Sequence, residues 1–226
     1  MYAVARVVPF APFGWQERYF ASGANTAAEI RGFTGAGCNV GVAAPELSES
    51  GLRAIEELRD DPCARVFVDS GAFSEVEEQG GRLVVVAPIS DEEWRRRLAV
   101  ALRVGQALGH RAHIVAPDRV GDQVATLERL ERFEPEITAI VATGARLIVP
   151  IQRGLVPMGA FFAAASRALG DIDFIPGVPG NKDATPLPEL RRFADVLGAA
   201  VAVGLYAGFY LLVRAVSQQR YAVDYF

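Results

Sequence analysis

Short runs of β-branched and aliphatic residues return along this chain at intervals filled by helix-patterned stretches. That alternation restricts it to folds built from repeated βα units around a parallel sheet. The runs are Ala3 to Val8, Asn39 to Ala43, Arg65 to Asp69, His113 to Ala116, Arg146 to Ile151, Asp173 to Gly177, Ala200 to Gly204 and Tyr221 to Tyr225. Strands alternating with helices in this number predict a (β/α)8 barrel of TIM type; a doubly wound sheet is the other arrangement the periodicity allows. A chain of 226 residues suffices for one such barrel, and neither an internal repeat nor a Pro/Gly/Ser-rich linker divides it. Residues 1–226 are therefore expected to form one domain.

The helices carry start and stop signals. Ser90 followed by Glu93 is a capping-box pattern, after which Trp94, Leu98, Ala101, Leu102 and Leu108 share one face. Leu52, Ile55 and Leu58 do the same in an earlier helix that Asp61-Pro62 stops. Pro186 suits the start of another helix, with Leu190 and Phe193 pointing inward. Leu83 to Pro88 reads as a short extra strand in a hairpin through Gly80-Gly81.

A net charge of -4 argues against a broad polynucleotide-binding face. Lys182 is the only lysine, and Gly-Asn-Lys-Asp around it is ordinary turn composition. Cys38 and Cys63 do not form a CxxC pair and no histidine cluster accompanies them, so no metal site is expected. His110 and His113 flank a strand start and read as structural. The N-terminus lacks the pattern of a signal peptide, which makes the cytoplasm the expected compartment. Val196 to Val213 contains no charged residue and reaches the lower length limit of a membrane span, yet three glycines and much alanine make it a poor one; a strand followed by a helix fits it as well.

In a barrel the C-terminal strand ends converge on one mouth. Here they read Asp69-Ser70-Gly71, Ala116-Pro117-Asp118, Pro150-Ile151-Gln152-Arg153-Gly154, Pro176-Gly177-Val178-Pro179-Gly180 and, near the last strand, Asp224. Each has a plain alternative: Asp69 and Asp118 also suit turn and helix-cap positions, and the glycines suit tight loops. Gln152, after an apolar strand, must find partners if it is buried.

These segments resemble those of the tRNA-guanine transglycosylase superfamily, and more closely its divergent branch implicated in placing 7-deazaguanines into DNA. Asp69-Ser70-Gly71-Ala72-Phe73 is similar to the family's Asp-Ser-Gly-Gly-Phe segment, Asp118 to its second, purine-reading Asp, and Gln152-Arg153-Gly154 to its Gln-Gly turn. The resemblance implies that Asp69 is the acid/base, that Ser70, Gly71, Phe73, Asp118, Gln152 and Gly154 line the base site, and that Gly177 reads a purine carbonyl. Val223-Asp224-Tyr225-Phe226 is similar to an Ile-Asp-Met-Phe-like run that precedes the family's nucleophilic Asp. A looser match makes Asp224 that nucleophile; a strict one puts it just beyond Phe226. The family's zinc-binding cysteines and histidine have no counterpart here.

The activity so implied is base exchange in DNA or tRNA, with a purine or 7-deazapurine as the small partner and no cofactor. Chemistry on free nucleosides, with Arg95, Arg96, Arg97, Arg191 and Arg192 as phosphate contacts or solvated helix faces, is one rival reading. A non-catalytic purine-binding or partner subunit is another, associating through Phe209, Tyr210, Tyr221, Tyr225 and Phe226 as a homo-oligomer or with a second chain. A Schiff-base enzyme using Lys182 is a third.

Overall fold

The structure, a computed structural model, describes residues 20–80, 82–179, 186–196, 200–205 and 210–216. Strand β1 (Phe20–Ser22) leads through α1 (Ala27–Gly35), β2 (Asn39–Ala43) and α2 (Glu49–Glu56) to β3 (Val66–Asp69). A hairpin of β4 (Val76–Gln79) and β5 (Arg82–Val85) follows, then α3 (Asp91–Leu108), β6 (Ala112–Val115), α4 (Gln123–Arg132), α5 (Glu134–Ala142) and β7 (Arg146–Pro150). The remaining elements are α6 (Met158–Ala168), β8 (Phe174–Pro179), α7 (Leu187–Val196), β9 (Ala200–Leu205) and β10 (Tyr210–Val216). Six strands pair in parallel in the order β1-β2-β3-β6-β7-β8, and β10 then β9 extend the β8 edge in antiparallel fashion. The protein is mixed α/β with a mostly parallel sheet.

Alternation along the strands buries both faces of this sheet. Val66 and Val68 of β3 join Val40, Val42, Ile114, Leu147 and Val149 in the core beneath the helices. The intervening Phe67 turns to the opposite face and meets Phe20, Val115 and Ile148, with Ile175 packed against them. The Phe20 ring lies 5.8 Å from Phe67 and 5.3 Å from His113, centre to centre. Burial holds the His113 imidazole neutral, its pKa pushed down to about 3. The helices pack in one series: α1 on α2, α2 on α3, α3 on α5, α5 on α4, α4 on α6 and α6 on α7.

Several elements follow the sequence signals closely. Ser90 caps α3 by accepting from the Glu93 amide at 3.2 Å, although the Glu93 carboxylate turns to Arg96 and Arg97 and leaves the reciprocal half of the box unmade. Leu52 and Ile55 are buried on α2, and the hairpin pairs Gln79 with Arg82 across Gly80. Strand β1 was not expected, because three residues are too few to show a period. The expected strands at Ala3 to Val8 and Tyr221 to Tyr225 lie outside the described residues. Within Val196 to Val213, the expected helix after β9 is corrected to a strand: Tyr210, Leu211 and Leu212 pair with Pro179, Val178 and Gly177 of β8. An open sheet edge captures an aliphatic run that would otherwise satisfy its backbone as a helix. Among the described residues no helix is long and apolar enough to cross a membrane.

Candidate functional site

Strand β3 ends in Asp69, and the chain then turns sharply at Gly71, whose φ of 73° is left-handed. A Cβ on Gly71 would stand 2.5 Å from Pro45 Cγ, so glycine is required by both conformation and space. The turn carries Ser70 across to β6, where its hydroxyl donates to Asp118 Oδ1 at 2.9 Å. Asp118 Oδ2 accepts from Gln152 Nε2 at 2.8 Å, and Gln152 Oε1 accepts from the Gly121 amide. Residues beyond the ends of β3, β6 and β7 are thereby joined in one buried hydrogen-bonded chain. Asp118 is not a helix cap: the turn at Gly121 delays α4, and Asp122 caps it by accepting from the Ala125 amide at 3.0 Å.

Both carboxyls titrate near neutrality. Burial raises the Asp69 pKa to about 6, against amides of Ser70 and Gly71 and the charge of Arg97, which favour the carboxylate. Its Oδ1 is buried and has no hydrogen-bond partner among the described residues. Burial likewise raises Asp118 to about 7, with the nearby Asp69 charge adding to it and Ser70 and Arg129 opposing. Two acids of this kind in one site exchange protons at physiological pH, the property required of a general acid/base. A small cavity of about 10 Å³ borders Asp69, Ser70, Trp94 and Arg97.

Sequence reasoning missed Arg129 and Gln123, which brace these acids, and assigned Arg97 a different role. Arg97 of α3 is buried and donates to the Ser70 and Gly71 carbonyls, each at 3.1 Å. It is therefore neither a phosphate contact nor part of a solvated face; Arg95 and Arg96 pair with Glu136 and Glu93 on the surface. Arg129 of α4 donates to the Asp118 carbonyl and to Glu75 Oε1, the latter at 2.5 Å. Gln123 spans the loop after β7, donating to the carbonyls of Gln152 and Val156 at 2.9 and 3.0 Å. One signal for Arg97 was available: it stands three residues after Trp94, on the apolar face of α3.

The other expected site residues are placed variously. Phe73 lies in the turn after Gly71 and is exposed. Gly154 passes so close to Gln123 that a Cβ would stand 2.5 Å from Gln123 Cδ, a packing reason for the glycine. Gly177 sits within β8, paired with Pro150 and Leu212, two residues before the strand ends. Asp224 and Lys182 lie outside the described residues. No protein-family model matches the chain, and no curated protein matches it significantly.

Proposed function

We propose that this protein is a base-exchanging glycosyltransferase that replaces guanine by a 7-deazaguanine in a nucleic acid. The observation that carries the reading is Asp69: a strand-end carboxyl with one buried oxygen that has no hydrogen-bond partner among the described residues and a pKa near 6, beside an Asp118 held by Ser70 and Gln152. In the reaction, a carboxylate oxygen of Asp224 attacks C1′ and the bond to the purine nitrogen breaks, its electron pair leaving with the base. Asp69 donates the proton that the departing purine needs. The resulting Asp69 carboxylate then takes a proton from the incoming base, whose nitrogen displaces the Asp224 ester and restores the original configuration at the sugar. Asp118, Gln152, Ser70, Gly71, Gly154 and Gly177 form the surface that reads the base, and Phe73 offers a ring to stack on it.

The same reading includes closure of the sheet into a barrel. The parallel strands run in sequence order without the reversal that a doubly wound sheet has at its switch point, and the helices pack in one series. Right-handed crossovers then leave the opposite face without helices, and burial of Phe20, Phe67, Val115 and Ile148 on that face is what an enclosed barrel interior supplies. The test of function is incorporation of labelled guanine and 7-cyano-7-deazaguanine into tRNA and duplex DNA by the wild type, Asp69→Asn and Asp224→Asn proteins. Label entering one polymer with the wild type and neither variant is the expected result; no label with any polymer refutes the proposal.

A further inference from the structure

Glu75 is fully buried at the end of the turn that follows Asp69-Ser70-Gly71, a position no motif marks. Its Oε1 accepts from Arg129 Nη2 at 2.5 Å and from the Ile89 amide at 2.6 Å, and its Oε2 lies 3.5 Å from Arg119 Nε. Arg129 reaches in the other direction to the Asp118 carbonyl. Its guanidinium stands 4.9 Å from the centre of the Trp94 ring, and that of Arg97 stands 5.3 Å from the same ring. Arg97 holds the carbonyls of Ser70 and Gly71. One indole thus supports two arginines, each gripping one acid-bearing loop, and Glu75 ties the second arginine back to the first loop.

We propose that the Glu75–Arg129 pair is a positioning device for the acid pair, holding Asp118 in register with Asp69 and setting, through its charges, which carboxyl keeps the proton. The inference rests on the base-exchange reading for its purpose, not for its geometry. The charged groups facing Asp118 are Asp69 and Glu75, whose negative charges favour its protonated form, and Arg129, which favours the carboxylate. Arg119 and Arg97 complete the surroundings through Glu75 and the Ser70-Gly71 turn. A carboxylate whose only neighbours were neutral would lack this balance, and so would one in an open loop, which water would return to ordinary acidity.

The experiment follows the Asp118 carboxyl by carbon-13 NMR against pH, assigned by its loss in Asp118→Asn, in the wild type, Glu75→Gln, Arg129→Gln and the double variant. Glu75→Gln should lower the Asp118 midpoint, because a negative charge is gone and Arg129 is no longer neutralised. Arg129→Gln should raise it, and the double variant should fall between the two. Loosening of the loop alone would shift both single variants downward together, and unchanged midpoints would also overturn the proposal. Arg129→Lys, which keeps the charge, guards against failure of Arg129→Gln to fold and should return the midpoint toward wild type. Guanine affinity by calorimetry is read alongside, with an expected loss of about tenfold or more in Glu75→Gln and none in Glu57→Gln, whose exposed pair with Arg31 is remote. A wild type that binds no guanine refutes the base-exchange reading, while the opposed midpoint shifts still decide the positioning role.

Discussion

Asp69 binds its proton more tightly in the folded chain than in the unfolded one, with a pKa of about 6 against 3.8. The stability this contributes is complete below pH 3.8 and is lost as pH rises through 6, a change of about 3 kcal/mol for two units of acidity. Asp69→Asn removes the dependence. Relative to wild type, the variant should gain about 2–3 kcal/mol between pH 4 and pH 7 in denaturant titrations, while losing the proposed base exchange. Such a trade between stability and activity is what the proposed acid/base role of a buried carboxyl predicts. Gly71→Ala tests the adjoining turn: left-handed backbone costs about 1–2 kcal/mol for alanine, and the approach to Pro45 adds about as much again. The expected loss is about 2–4 kcal/mol in thermal or denaturant unfolding.

At the scale of elements, α3 bears on the site through the buried Arg97 and the Trp94 ring beneath it. Arg97 satisfies two carbonyls of the turn after β3 and pairs with Glu93 one turn back on its own helix at 2.9 Å. Arg97→Met keeps the apolar stem and removes the donors, leaving those carbonyls and a half-buried carboxylate without it. Each such loss costs about 1–3 kcal/mol, so unfolding free energy should fall by about 2–4 kcal/mol, with Asp69 titrating higher for want of the positive charge. An unchanged Asp69 midpoint would mean that the guanidinium acts on the turn alone. The hairpin β4–β5 belongs to the same unit, since the Val86 amide donates to the Glu75 carbonyl at 2.8 Å and brings the strand back over the turn.

For the whole molecule, the decisive quantity is burial on the face away from the helices. Ile148 is fully buried there with Phe20, Phe67 and Val115. If the sheet closes around these side chains, Ile148→Ala opens a cavity in a packed interior and costs about 2–5 kcal/mol. On a solvated sheet face the same change would cost less than about 1 kcal/mol. Chemical denaturation of the one variant separates the two. His113 acts in the opposite sense to Asp69: its folded pKa of about 3 lies below the ordinary 6.5, so its contribution is present above pH 6.5 and is lost as pH falls toward 3.

The amino-acid sequence by itself determined the parallel strands β2, β3, β6, β7 and β8, because alternation, β-branched runs and turn residues act within a few positions of one another. It also marked Asp69, Ser70, Gly71, Asp118 and Gln152 as strand-end residues worth reading together, and the structure links Ser70, Asp118 and Gln152 by hydrogen bonds. Tertiary structure decided the rest. Arg129 and Glu75 meet across 54 positions of chain, and Ser70 and Asp118 across 48, separations over which no local pattern reports a contact. Strand β10 owes its form to the exposed edge of β8. Local propensity selects the elements and their ends; burial, which only the assembled fold supplies, selects the partners of each charge and thereby the acidity of the two carboxyls.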